Sequence, residues 1–287
     1  MSQTKKDDWS TEAYQNAASF VPKLATKIVQ WLDPQPDDVI LDIGCGDGVL
    51  NIQFNEILSR GSGHVHGIDA SPAMIEAARK AAEKAGAEKC SFEVLDALAL
   101  ATAPALQSGT YTKLFSNAAL HWILKGDSFS PSSSPSSSLS SSFFRSARAA
   151  LVPGGLFAFE MGGLGNVAEM RAAIMMAVAR RVGIERAREA EPWFFPDEEW
   201  VRGVMQREGW EVLRAEREWR PTRADEGGVE GWVRLFGAKS FEVVPEEGGE
   251  RESCIREAVE VLEVVCREPG GGFNLGYVRL RVLARRV

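Results

Sequence analysis

The chain is poor in several things, and each shortage narrows its roles. It has only 4 cysteines and 3 histidines in 287 residues. Cys45, Cys90, Cys254 and Cys266 form no C-x-x-C pair, which argues against structural zinc and fits a reducing compartment. No apolar run approaches the ~20 residues that span a bilayer. The opening stretch Met1 to Asp8 is polar and lacks the apolar segment of a secretory signal. A cytoplasmic protein with no membrane partner is therefore expected. Basic residues are not in excess: 33 Lys and Arg face 40 Asp and Glu, for a net charge of −7. They are interspersed with acids, so a nucleic-acid partner is not expected. No internal repeat is evident. The hydrophobic fraction of 45% is that of an ordinary globular domain.

What the chain does have is a glycine-rich turn after an apolar run, Val39-Ile40-Leu41-Asp42-Ile43-Gly44-Cys45-Gly46-Asp47-Gly48. Another strand, His64 to Ile68, is followed by Asp69. Glycines let a backbone turn tightly and approach a ligand closely. An acid at the end of the next strand can accept from two ribose hydroxyls. The dinucleotide fingerprint needs a third glycine, and Val49 stands in its place. Asp42 and Asp47 would repel a pyrophosphate. They suit a cofactor with a cationic end, such as the sulfonium and ammonium of S-adenosylmethionine. A nicotinamide-dependent oxidoreductase is disfavoured on the same grounds.

Apolar periodicity predicts a helix over Ser10 to Trp31, ended by Asp33-Pro34-Gln35-Pro36. Strands are predicted at Val39–Ile43, His64–Ile68, Ser91–Leu95, Thr112–Ser116 and Leu156–Met161, with helices from Gly48 to Ser59 and from Ser71-Pro72 to Ala85. Apolar strands alternating with helices indicate a doubly wound, mostly parallel α/β sheet. Residues 128–142, almost all serine and proline, are expected to be a disordered insertion, followed by a helix from Phe143 to Leu151. Farther on, helices are predicted at Asn166–Val182, from Pro196, at Gly231–Ala238 and at Arg251–Val265. Strands at Glu211–Arg220 and Tyr277–Arg285 would complete seven strands as an antiparallel pair, with the intervening helices capping the cofactor mouth. One domain is expected over 1–287: an N-terminal helix over the site (1–37), a cofactor-binding core (38–163), and cap helices with C-terminal strands (164–287).

Five stretches in order carry a family resemblance. They are Leu41 to Gly48, Gly67-Ile68-Asp69-Ala70-Ser71-Pro72-Ala73-Met74, Asp96-Ala97, Phe115-Ser116-Asn117-Ala118-Ala119-Leu120-His121-Trp122, and Leu151-Val152-Pro153-Gly154-Gly155. Together they resemble a class I S-adenosylmethionine-dependent methyltransferase, with a Rossmann-like sheet. Ser116 to Trp122, Glu160-Met161-Gly162-Gly163 and Pro192-Trp193-Phe194-Phe195-Pro196 are similar to trans-aconitate methyltransferase-like proteins. The serine-rich insertion departs from that pattern.

The resemblance implies S-adenosylmethionine as cofactor, S-adenosylhomocysteine as product, no metal, and a small-molecule acceptor. It implies that Gly44, Cys45 and Gly46 line the methionine part through backbone, with Asp42 at the amino end. Asp69 would hold the ribose, Ala70 and Met74 would pack on the adenine, and Asp96 with Ala97 would meet its amine. The Asn117 carbonyl would meet the ammonium. Tyr14 is placed with the cofactor; Trp9, Trp122 and Glu160 are candidates for the acceptor. His121 would orient the acceptor or remove a proton. A carboxylate acceptor is ionised at neutral pH and needs no base, only cationic or hydrogen-bonding donors. Arg171, Arg180, Arg181, Arg223 and Arg234 are candidates for that task. Methylation of another oxygen or of nitrogen, and a non-catalytic S-adenosylmethionine-binding protein, are the alternative functions.

Overall fold

The computed structural model describes residues 25–127 and 139–287. Expectations that fall on residues 1–24 and 128–138, including the roles of Trp9 and Tyr14, lie outside the described residues.

The centre is a sheet of strands β1 (Val39–Ile43), β2 (His64–Asp69), β3 (Cys90–Val94), β4 (Tyr111–Asn117), β5 (Leu151–Gly162), β6 (Trp210–Arg223) and β7 (Asn274–Arg286). Its order is β3-β2-β1-β4-β5-β7-β6. Strands β1 to β5 are parallel, whereas β7 runs antiparallel between β5 and β6. The seven-stranded doubly wound sheet is as expected, and the strands lie within a few residues of their expected positions. The larger extension is β5, which begins at Leu151, ahead of the Pro153-Gly154-Gly155 turn.

Helices cover both faces. On one, α1 (Thr26–Leu32) and α2 (Val49–Leu58) pack Ile28, Leu32, Phe54 and Leu58 on Ile40, Val65 and Phe115. Phe54 meets Phe115 edge-on at 5.1 Å. Helix α3 (Pro72–Ala85) starts with Ser71 Oγ accepting from Met74 N–H and stops at Gly86. On the other face, α5 (Leu139–Ala150) and α8 (Glu198–Arg207) cover Leu41, Leu114, Phe157 and Phe159. Neighbouring residues such as Ile40 and Leu41 reach opposite cores because strand side chains alternate.

The expectation for 128–142 needs correction at its end. Residues Leu139 to Ser142 form the first turn of α5. Leu139, Phe143, Ala147 and Ala150 recur at helical spacing, so the apolar stripe begins inside the serine run. Ser140 and Ser141 are fully buried.

A second apolar centre lies beyond the sheet's carboxyl edge. It is built by α6 (Ala168–Val182), α7 (Ile184–Glu189), α9 (Gly228–Phe236), α10 (Ala238–Phe241) and α11 (Glu250–Val265), with the start of β7. The expected helix Gly231–Ala238 begins earlier and breaks at Gly237 into α9 and α10. The single turn α4 (Leu120–Ile123) and helix α7 were not expected. Among the described residues, no helix is long and apolar enough to cross a membrane.

Candidate active site

The loop after β1 is tied to the end of β2. The N–H groups of Gly44 and Cys45 both donate to the Ile68 carbonyl, at 2.8 and 3.0 Å. Gly44, Gly46 and Gly48 all have positive φ, at 74°, 57° and 76°. A Cβ on Gly44 would lie 2.3 Å from the Ala119 methyl, while one on Gly46 would meet no protein atom within 4 Å. Gly44 is thus required by packing, and Gly46 faces open space.

That space is a cleft at the carboxyl edge of the sheet, where ligands of open α/β sheets bind. It has about 1090 Å³ of empty volume, mouth included. One end is lined by Gly44, Gly46, Asp69, Ala70, Met74, Asp96, Ala97 and Asn117, all expected at the cofactor. The other is lined by His121, Trp122 and the cap, chiefly Trp193, Phe195, Trp232, Tyr277 and Arg279.

At the first end, Asp69 Oδ2 accepts from Gly46 N–H at 3.0 Å and Oδ1 from Ser71 N–H at 2.9 Å. A carboxylate oxygen can accept more than one hydrogen bond, so these leave room for ligand hydroxyls. Asp96 Oδ1 accepts from Leu98 N–H at 3.0 Å, opening the turn of Ala97–Thr102. The side-chain Oδ1 of Asn117 is buried without a hydrogen-bond partner. An orphaned acceptor in a cleft edged by Asp69 and Asp96 fits a ligand that brings N–H and O–H donors and positive charge.

Asp42 and Cys45 lie behind this surface and do not line the cleft. Burial, reinforced by the charge of Asp69, pushes the Asp42 carboxyl up to about 8. Burial likewise pushes the Cys45 thiol well above its ordinary range.

At the other end, the Gly162 N–H donates to Nδ1 of His121 at 3.3 Å. Nδ1 is therefore the acceptor nitrogen, and the proton of the neutral ring sits on Nε2. Burial, aided by the positive charge of Arg279, pulls the His121 pKa down to about 3. At neutral pH this histidine is an uncharged donor. Trp122 stands 5.7 Å from Trp193, ring to ring.

Two expectations about this end are corrected. Glu160 does not line the cleft; it is completely buried behind it. Its carboxylate pairs with Arg281 Nε and, at 3.3 Å, with Arg279 Nε. Two arginines on the neighbouring strand claim the acid, so it neither faces an acceptor nor caps a helix. The five candidate arginines are absent from the lining. Arg171 pairs with Glu191, Arg180 and Arg181 with Glu257, Arg234 with Glu230 and Glu252, and Arg223 with Glu268.

Arg279 is the residue that sequence reasoning missed. It is the single cationic side chain among the described lining residues. It is 2% exposed, and its guanidinium lies 5.2 Å from the Tyr277 ring. Its Nε makes no hydrogen bond among the described residues. The alternation Val278-Arg279-Leu280-Arg281-Val282 was the available signal, but it reads equally as a strand with a solvated face.

Comparison with known proteins decides the family. Residues 34–187 match a family described as "Methyltransferase domain". An uncharacterized methyltransferase, C70.08c of Schizosaccharomyces pombe, is 34% identical over 284 residues, covering 98% of this chain and 99% of its own. The chain belongs to the class I S-adenosylmethionine-dependent methyltransferases. Aklanonic acid methyltransferase DauC of a Streptomyces species is 36% identical over 95 residues, covering 33% of this chain and 43% of its own. Among solved structures, the YcgJ protein of Bacillus subtilis shares the fold with a TM-score of 0.58 at 13% identity, covering 91% of this chain and 96% of that one. This methyltransferase has no group of three or more His, Cys, Asp or Glu that could hold a metal among its described residues.

Proposed function

We propose that this methyltransferase esterifies a carboxylate of a small molecule. The observation that carries the reading is Arg279, a buried cation facing the same cleft as a neutral His121. A carboxylate is already ionised at neutral pH, so its alignment is the main task, and orientation can supply ~7–11 kcal/mol. Arg279 and the Nε2–H of His121 are donors suited to hold it. A hydroxyl or ammonium acceptor would have to lose a proton, and a histidine whose pKa lies near 3 is a poor base for that.

In this reading S-adenosylmethionine, when bound, supplies a methyl on a sulfonium whose departure leaves a neutral thioether. Gly44 and Gly46 offer backbone to its methionine part, and Asp69 accepts from the ribose. Ala70 and Met74 flank the adenine, with Asp96 and Ala97 at its amine edge. Asn117 presents its orphaned Oδ1 as well as its carbonyl. Asp42 acts from beneath the loop by its charge.

The likeness to trans-aconitate methyltransferases is narrowed in this reading. A tricarboxylate brings three negative charges, and one described cation lines the cleft. An acid with a single carboxylate suits it better. The Streptomyces relative is named for an acid, aklanonic acid, which is in keeping with an acidic acceptor.

The test is turnover on a panel of acids, alcohols and amines, read by the mass gain of one methyl for one hydrogen. Products that mild alkali returns to the starting acid support the reading. Alkali-stable ethers or methylamines would overturn it.

A further inference from the structure

We infer that the acceptor is a flat aromatic acid with one carboxylate, its ring laid against the aromatic wall of the cap. The inference rests on the esterification reading for the fate of the carboxylate, but not for the shape of the pocket.

The wall beyond Arg279 is aromatic. The Trp193 ring lies 6.0 Å from Phe195, stacked at 13°, and 5.8 Å from Trp232. Trp232 in turn meets Phe236 at 5.2 Å, and all four rings line the cleft. Trp232 Nε1–H is spent within the wall, donating to the Tyr277 hydroxyl at 2.6 Å. The Tyr277 ring then lies beside the Arg279 guanidinium. This chain of contacts fixes the rings and the cation relative to one another before any ligand arrives, which cuts the ordering cost of binding.

The charge of Arg279 decides among the ligands that aromatic walls attract. Such walls also suit quaternary and methylated ammonium groups through cation–π attraction. A buried guanidinium among them opposes a cation and invites an anion. Glu160 behind Arg279 also pairs with Arg281, which Glu216 and Glu218 hold as well; of these charged groups only Arg279 lines the cleft, so a ligand there meets the cation first. A polyol would need several donors and acceptors. The Asn166 amide is one of the few other polar groups there, and its Oδ1 already accepts from Val278 N–H at 2.8 Å. Flat apolar rings gain from offset or edge-on stacking in addition to area burial, which saturated bodies do not.

The carboxylate end also has a defined place. Arg279 pairs across the sheet with Gly162, whose N–H holds His121. Two residues back on β5, Glu160 pairs with Asn117 of the cofactor end. Arg279 and His121 thus sit beside the strand ends where the two halves of the cleft join.

The test uses the full chain saturated with S-adenosylhomocysteine, titrated with benzoate, 2-naphthoate, cyclohexanecarboxylate, benzamide, benzylamine and phthalate. Calorimetry reads affinity, and the same compounds with S-adenosylmethionine read ester formation. The arene monocarboxylates are expected to bind at least about tenfold more tightly than cyclohexanecarboxylate, benzamide or benzylamine, a difference of about 1.4 kcal/mol. Phthalate should be weaker than benzoate. Arg279→Met should lose about ten- to a hundredfold in arene acid affinity while keeping S-adenosylhomocysteine affinity, and Arg279→Lys should lose less. Equal binding of cyclohexanecarboxylate and benzoate, preference for benzylamine or phthalate, or no binding by any acid would overturn the inference. Tight arene acids that give no ester would overturn the esterification reading alone. Esters formed from saturated acids in preference would leave that reading standing and overturn this one.

Discussion

The Gly162 N–H points at Nδ1 of His121, 3.3 Å away, and so fixes which nitrogen of the ring carries the proton. A backbone donor cannot be titrated away at neutral pH. It leaves Nε2 as the donor nitrogen, while burial and the charge of Arg279 keep the ring neutral. In the proposed reaction the histidine next to the aromatic cap therefore acts as an orienting group.

His121→Asn should keep most of the turnover. Loss of a true general base costs about 10²–10⁴ in rate, so a fall well below a hundredfold is expected. With cofactor and acceptor saturating, the wild-type rate should be flat from about pH 6.5 to 8.5, because a histidine pulled down to about 3 stays neutral throughout. A rate that climbs across that window, together with a hundredfold loss in the variant, would mean that His121 removes a proton.

Cofactor affinity should rise with pH. Asp42 is raised to about 8 in the free protein, so at pH 7 it is largely protonated there. A cationic ligand nearby favours its carboxylate and expels the proton. Calorimetry in two buffers of different ionisation enthalpy should show proton release at pH 7 that fades above pH 8. The same shift bears on stability. The folded state binds the extra proton between the unfolded value near 4 and about 8, so this group lowers stability as pH rises through that range. Asp42→Asn should remove that slope and weaken the cofactor.

Asp69→Ala should lose cofactor affinity by about ten- to a hundredfold, the range for hydrogen bonds to a charged group. It should also lower thermal stability, because the Gly46 and Ser71 N–H groups lose their acceptor. Asp69→Asn keeps one oxygen and separates the two effects: stability recovers partly while affinity stays low. Affinity within twofold of wild type for both variants would sink the ribose assignment.

Gly44→Ala and Gly46→Ala should differ. The first places a methyl 2.3 Å from Ala119 and should damage folding. The second meets no protein atom and carries only the strain of a left-handed residue, about 1–2 kcal/mol. Its larger cost should appear in S-adenosylmethionine binding, where Gly46→Val should be worse still. Equal melting temperatures for the two alanine variants would contradict the packing.

The serine- and proline-rich composition of residues 130–137 predicts that deleting them changes stability little, because closing a flexible segment costs only about 0.6 kcal/mol more per doubling of its length. Extending the deletion to Ser141 removes Leu139 and two buried serines from α5. That deletion should melt several degrees lower, and calorimetry of the pair distinguishes the insertion from the helix.

The half of the cleft lined by Gly44, Gly46, Asp69 and Asn117 was legible because its signals are local. Val39 to Ile43 are apolar but for Asp42, the glycines follow at once, and Asp69 ends the next predicted strand. Each of these can be read within ten residues. The acceptor half was not, because it is made by topology. Arg279 and Arg281 alternate with Val278, Leu280 and Val282, the pattern of a strand with one wet face. Only the insertion of β7 between β5 and β6 buries them. Glu160 was misplaced for the same reason: its partners lie more than a hundred residues away. The five expected arginines sit on the cap or near the chain's bends, where nearby acids claim them.

The position of β7 sets an order of events in synthesis. Strand β6 is made first, yet it cannot reach β5, because its neighbour in the sheet is still to come. Until β7 enters, the hydrogen-bonding edges of both β5 and β6 stay open, a state prone to wrong pairing. The cofactor end needs only β1 to β4 and their loops, so it can form early. Arg279 and Tyr277 arrive with β7, and the acceptor end closes last. Under the proposed function, a nascent chain of this protein would thus be able to grip a nucleoside well before it could recognise what it methylates.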